Sequence, residues 1–191
     1  YVGAGTFIMT GGSIVDCTAS TTDYTMAMGG GVYVANRGTF TMSGGRIENC
    51  KASSEDGRAS GGGIYNAGRT TLSGTAKIRN CQAANAGGGI YDYSILNISD
   101  NVEITGCTAP LWSAMIVSGT ISGGTFSNTV TNKSTIENGT FNGKVICAGS
   151  AADGNASGPL SGGTIKGGTY AQPIEMKAGT VYTDEKLAVV D

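Results

Sequence analysis

The feature that most constrains the fold of this chain is a six-residue segment, Gly-Gly-Gly-Ile-Tyr-Asn at 61–66. A close copy lies 32 residues earlier, at 29–34, and another lies 26 residues later, at 87–92. Repeats of this length are typical of solenoids, in which each unit buries its apolar face only by stacking on its neighbours. The sequence therefore predicts stacked repeats rather than a single globular core.

Two further segments recur in step with the glycine triplets, and both alternate as β-strands do. The first occurs at 6–9, 39–42, 69–72 and 95–98, and the second at 14–17, 47–50, 78–81 and 104–107. In the first segment we expect a file of inward side chains formed by Met9, Met42, Leu72 and Ile98, beside a second file of Phe7, Phe40, Thr70 and Leu96. Three strands in each unit predict an all-β fold, a single parallel β-helix with three short strands per coil.

Two bends in each coil are predicted where residues that tolerate a left-handed backbone recur. One bend precedes the second segment's last residue, at Asp16, Asn49, Asn80, Gly106 and, in the next copy, Asn128. The other bend carries Gly11, Gly44, Gly74, Asp100 or Asn101, and Gly123. Two independent columns of this kind indicate a chain that turns at the same place in every coil.

The repeat shortens towards the C-terminus. The segment at 119–126 recurs at 134–141 and 163–170 with the same bends. We therefore predict one β-helix domain over 1–191, with long coils at 1–113, shorter coils at 114–181, a closing strand at 182–191 and a flexible inserted loop at 148–159. Because the repeat is already under way at Thr6, we expect this sequence to be part of a longer chain. We expect this part to be monomeric.

Composition excludes several classes of function. The net charge of -2 is too small to indicate a nucleic-acid partner, and no apolar run approaches the roughly 20 residues of a membrane span. No stretch keeps a helical period for three turns, while 33 glycines favour strands joined by tight bends.

The glycine triplet followed by Ile or Val and Tyr, and then by Ser-Gly-Gly-x-Ile-x-Asn at 43–49, resembles the right-handed parallel β-helix repeats of bacterial surface proteins. These include autotransporter passengers, polymorphic outer-membrane proteins and adhesin-like proteins of gut anaerobes. The resemblance covers about 1–110 closely and 116–181 more loosely. It implies an exported protein at the bacterial cell surface, and it does not specify an activity, because this fold carries many.

Four cysteines occupy one column of the repeat: Cys17, Cys50, Cys81 and Cys107. A linear file cannot converge on a tetrahedral zinc ion, so we predict no metal there. We also predict no cofactor. Buried free thiols that act as small apolar core residues are the favoured interpretation. Disulfides between neighbouring coils are the alternative, although parallel side chains strain that geometry. Cys147 lies outside the column.

Three tyrosines, Tyr33, Tyr65 and Tyr91, are predicted to face outward and to stack from coil to coil. With Tyr93 and Trp112 near the same rim, they form the candidate ligand-binding face, for a glycan or a surface protein. The alternative is that cross-strand aromatic pairs only stabilise the sheet.

Charged residues on the outward face of the third strand are the best candidates for catalysis: Arg46, Glu48, Lys77, Arg79 and Glu103. Their signs alternate, with Glu48 beside Arg79 and Lys77 beside Glu103, which predicts a solvated ladder of ion pairs instead of paired catalytic carboxylates. We assign no catalytic residue. The sequence favours a non-enzymatic extracellular module, a rigid stalk or an adhesin, and the alternative is a carbohydrate-active enzyme of the β-helix type.

Overall fold

The computed structural model describes residues 1–22, 25–110, 115–148, 163–178 and 188–189. Within these residues the chain is all β, with no helix, and it winds as a parallel β-solenoid. Every strand pairs in parallel with the equivalent strand of the neighbouring coil, as the repeat predicted. Three sheets form the walls of the solenoid, and two short sheets extend its long coils.

Sheet 1 contains the strand after each glycine triplet. Its members are Val32–Val34 (β5), Ile64–Asn66 (β10), Ile90–Asp92 (β14), Met115–Val117 (β17), Val130–Asn132 (β20), Val145–Ala148 (β23) and Glu175–Ala178 (β26). Sheet 2 contains Thr6–Met9 (β1), Thr39–Met42 (β6), Arg69–Leu72 (β11), Ile95–Ile98 (β15), Thr120–Ile121 (β18), Thr135–Ile136 (β21) and Thr164–Ile165 (β24).

Sheet 3 contains Ser13–Val15 (β2), Arg46–Glu48 (β7), Lys77–Arg79 (β12), Glu103–Thr105 (β16), Thr125–Phe126 (β19), Thr140–Phe141 (β22), Thr169–Tyr170 (β25) and Ala188–Val189 (β27). The short sheets contain Thr18–Thr21 (β3), Lys51–Ser54 (β8) and Gln82–Ala83 (β13), and Ala27–Met28 (β4) and Ala59–Ser60 (β9). The closing strand is described only as β27, which pairs with β25. The predicted loop at 148–159 lies outside the described residues beyond its first position.

The coils become shorter along the chain. Thr6 pairs with Thr39, 33 residues away, whereas Thr120 pairs with Thr135, only 15 residues away. The described parts of the short coils contain no equivalent of β3 or β4, and their core is filled by larger side chains. The file of isoleucines in sheet 3 that ends at Ile104 continues as Phe126, Phe141 and Tyr170.

The core consists of side-chain files that run through the coils. Met42, Leu72 and Ile98 are at most 1% exposed, so the predicted inward file of sheet 2 is confirmed. Phe7 stacks on Phe40 with ring centroids 5.3 Å apart, but it is 39% exposed because β1 is the edge strand of its sheet.

The first predicted bend is confirmed at four coils, where Asp16, Asn49, Asn80 and Gly106 all have φ between 52° and 65°. Asn128 does not adopt a positive φ, so that prediction is wrong. The second bend exists, with positive φ at Gly74 and Asp100 as expected. At three other coils the prediction is off by one residue, because the left-handed residue is Gly12, Gly45 and Gly124.

Candidate functional site

The tyrosine ladder lies on the outer face of sheet 1, because β5, β10 and β14 pair in register and place Tyr33, Tyr65 and Tyr91 in one file. Ring centroids are 5.5 Å apart between Tyr33 and Tyr65 and 5.2 Å apart between Tyr65 and Tyr91. Tyr1 extends the file, 5.3 Å from Tyr33. The next residue in register after Tyr91 is Ile116, where the ladder ends.

Tyr65 and Tyr91 stack and so offer ring edges to a ligand more than ring faces, whereas the plane of Tyr33 lies at 81° to that of Tyr65. Tyr65 lies between two neighbouring rings and is only 8% exposed, and the Tyr65–Tyr91 planes are 15° from parallel. Burial raises the pKa of Tyr65 to about 12, so its hydroxyl remains protonated at neutral pH. Tyr93, at 73% exposed, presents an open aromatic ring near the ladder. Trp112 lies outside the described residues.

Glycine triplets allow the coils to approach closely beneath this face. A Cβ atom on Gly62 would lie 2.2 Å from the carbonyl oxygen of Gln82 and 2.4 Å from that of Gly88. Gly61 and Gly87, the first residues of their triplets, have φ of 70° and 62°. The triplet is thus required both by a left-handed turn and by contact between successive backbones.

A buried polar network, which was not predicted from the sequence, fixes the turn that carries Tyr93. Asp92 is 3% exposed, and its carboxylate accepts hydrogen bonds from Asn66 Nδ2 at 2.6 Å, from Ser118 N at 2.9 Å and from Ser94 N at 3.3 Å. Asn66 Nδ2 also donates to the Ile95 carbonyl at 2.9 Å. One feature of the sequence could have indicated this network: a polar residue, Asn66 or Asp92, follows Gly-Gly-Gly-Ile-Tyr in two copies of the repeat. The first copy has Val34 at the same position.

The cysteine file is part of the core and its thiols are free. Cys50, Cys81 and Cys107 are at most 1% exposed, while Cys17, in the first coil, is half-buried. Each buried thiol donates to the carbonyl two residues before it, for example from Cys81 Sγ to Arg79 O at 3.2 Å. Hydrogen bonding to Cys107 is the largest cause that raises the pKa of Cys81 to about 12, with burial adding to it. A protonated, buried thiol is a poor nucleophile.

The charged residues of sheet 3 form ion pairs on an open surface. Lys77 Nζ lies 3.2 Å from Glu103 Oε1, as predicted. The predicted Glu48–Arg79 pair does not form. Arg79 pairs instead with Glu103, and Glu48 pairs with Arg46 on its own strand at 3.1 Å. The guanidinium of Arg79 and the ammonium of Lys77 lower the pKa of Glu103, so its carboxylate stays ionised and cannot act as a general acid near neutral pH.

A further group of charges, which was not predicted from the sequence, lies where sheet 1 turns into sheet 2. Arg37 and Arg69 are both exposed at this corner, and neither forms an ion pair with a described residue. Tyr93 lies at the same corner, one coil beyond Arg69. Among the described residues, no group of three or more His, Cys, Asp or Glu side chains is placed to hold a metal ion.

No protein-family model matches the chain, and searches of curated proteins and of solved structures found no significant match. No helix in the described part of the chain is long and apolar enough to cross a membrane.

Proposed function

We propose that this chain is a non-enzymatic module of an exported bacterial surface protein, which serves as a rigid β-helical stalk with an adhesive face on sheet 1. The observation that carries this proposal is the continuous register of sheets 2 and 3. From Thr6 to Tyr170 the described strands of these sheets pair coil on coil without a register shift. Repeat stacks of this kind are quasi-one-dimensional, which suits a role as a stalk.

The adhesive part of the proposal is supported by the tyrosine ladder and Tyr93. Aromatic residues with polar tips are enriched at binding surfaces, and Tyr93 presents most of its ring to solvent. A glycan or a surface protein on another cell is the proposed partner.

The alternative is a carbohydrate-active enzyme. The charged face of sheet 3 weighs against it, because its carboxylates Glu48 and Glu103 are each engaged by cationic neighbours. This alternative covers a polysaccharide lyase and a glycoside hydrolase, and both need a free acid or base beside the scissile bond.

Two measurements test the proposal. Antibodies raised against this chain should label intact source cells, and protease treatment of those cells should remove the signal; labelling only after lysis would contradict a surface location. Incubation with a panel of neutral and acidic polysaccharides should release no new reducing or unsaturated ends. Turnover that is lost in Glu103→Gln, with folding intact, would establish the enzyme instead.

A further inference from the structure

Charge is distributed unevenly over this nearly neutral chain, and positive charge is concentrated at one corner of the solenoid. Where the described part of sheet 1 turns into sheet 2, the charged residues are Arg37 and Lys133 in the turns, Arg69 at the start of β11 and the buried Asp92 at the end of β14. The ion-paired carboxylates lie elsewhere: Glu48 and Glu103 on sheet 3, Asp56 in a loop, and Glu137 and Glu175 in the shorter coils. The corner is therefore cationic at its surface.

The backbone places the two arginines and Tyr93 on three consecutive coils. Arg69 pairs in register with Thr39 on one side and with Ile95 on the other. Arg37 lies two residues before Thr39, and Tyr93 lies two residues before Ile95. With coils about 4.8 Å apart, the three side chains spread over about 10 Å along the solenoid axis. That span fits a short oligomer better than a single small anion.

We propose that this corner, made of Arg37, Arg69 and Tyr93, binds an acidic polysaccharide that carries uronate carboxylates. A guanidinium group matches a carboxylate in a bidentate manner, and an exposed phenol ring can pack against the face of a sugar. The inference rests on the proposed adhesive role of sheet 1, and it adds the chemical class of the ligand.

The surroundings of the corner support an anionic sugar. Asp92, the carboxylate beside Tyr93 in sequence, is turned into the protein and accepts from three N–H donors, so it does not compete for the arginines. The turn itself is held by Tyr93 N, which donates to the Asn66 carbonyl at 2.8 Å.

The test is calorimetric titration of the 191-residue chain with an oligogalacturonate of about ten residues at low salt. Arg37→Gln and Arg69→Gln should each weaken binding about tenfold, and Tyr93→Ser should weaken it several-fold, with unchanged circular dichroism. The double variant Arg37→Gln/Arg69→Gln has a matched control, Arg46→Gln/Lys166→Gln. The control removes the same amount of charge from other faces of the protein, and it should bind oligogalacturonate as tightly as the wild type does. Affinity should also fall as salt screens the carboxylates.

Several outcomes would overturn the site. These are no binding of oligogalacturonate by the wild type, an equal loss in the control variant, or equally tight binding of single-stranded DNA. Binding of a neutral glycan or of cells that is insensitive to Arg37 and Arg69 would overturn this site while leaving the adhesive role intact. Absence of every such binding, together with failure of the cell-surface test, would remove the proposed function as well.

Discussion

The side chain of Asn128 pairs with the backbone of Cys107 in place of a β-strand: Cys107 N donates to Asn128 Oδ1 at 3.0 Å, and Asn128 Nδ2 donates to Cys107 O at 2.7 Å. In the longer coils the equivalent carbonyls accept from backbone N–H groups, as Cys81 O does from Thr108 N at 2.9 Å. The asparagine thus substitutes for the strand that is missing where the coils become short.

Asn128→Ala should destabilise the fold by about 2–4 kcal/mol, because it leaves a buried N–H and a buried C=O of Cys107 without partners. The control is Asn97→Ala on the outer face of β15, an exposed position, which should change stability by no more than about 0.5 kcal/mol. Chemical denaturation of the two variants beside the wild type measures both values. Equal effects would show that the Asn128 side chain does not replace a strand.

Gly62→Ala should prevent normal stacking and cost more than about 3 kcal/mol, because the new methyl group would meet the backbone oxygens of Gln82 and Gly88 at 2.2 and 2.4 Å. Gly11→Ala is the matched control. Gly11 has no positive φ, and a Cβ added there meets nothing within 4 Å. The stability of the Gly11→Ala variant should therefore be unchanged or slightly higher than that of the wild type. Thermal unfolding followed by circular dichroism distinguishes the two. A Gly62→Ala protein as stable as the wild type would mean that the coils are not in such close contact.

Phe141 is the middle ring of the internal stack, 4.9 Å from Phe126 and 5.0 Å from Tyr170. Phe141→Ala should cost about 3–5 kcal/mol through the cavity that it opens in the narrow coils. Phe7→Ala removes the same side chain at the exposed edge and should cost about 1 kcal/mol. The difference in unfolding free energy between the two variants is the quantity to measure, and a difference near zero would contradict the packed core of the short coils.

Glu103 provides the pH dependence of the charged face. Its carboxyl has a pKa below the ordinary value of 4.5, because Arg79 and Lys77 favour the ionised form. A carboxyl group whose pKa is lower in the folded state than in the unfolded state stabilises the fold at pH values above its unfolded pKa. This stabilisation is lost as the pH falls through the pKa of the folded state. The contribution is modest because these side chains are about one-third exposed.

The stability difference between wild type and Glu103→Gln should therefore be present at pH 6 and decline as the pH falls below 4.5. It should also shrink between about 0.1 M and 1 M salt. Denaturation midpoints measured across this pH range test the sign. A difference that grows on acidification would contradict the assignment.

The sequence was sufficient to predict the architecture because the solenoid aligns chemically similar residues. The files of Met42 and Leu72, the bends at Asn49 and Asn80, and the stacking of Tyr65 on Tyr91 all follow from periodicity. Features that depend on contacts between particular side chains were not predictable in this way.

Asn128 was predicted to lie at a bend of the backbone, but its side chain instead hydrogen-bonds to the backbone of Cys107. Asparagine is found in both roles, because its side-chain oxygen can accept from a backbone N–H in a turn or from one in another segment. The Asp92 network and the cationic corner were missed for a related reason. Asn66 and Asp92 share one column of the repeat, but Val34 interrupts that column, and the network depends on contacts between particular side chains. The corner combines Arg37 and Tyr93, which differ in chemical type, with Arg69 from another column, so no run of similar residues marks it.

Distances along one file of the solenoid test the central claim, a rigid stack of coils in register. Thr41, Thr71, Asn97, Thr120, Thr135 and Thr164 follow one another in register on sheet 2. Spin labels at Thr41 and Thr135 in a Cys17→Ser background should lie about 19 Å apart, and labels at Thr41 and Thr164 about 24 Å apart, both with narrow distributions. Broad distributions, or a second distance no longer than the first, would contradict a rigid β-helical stalk.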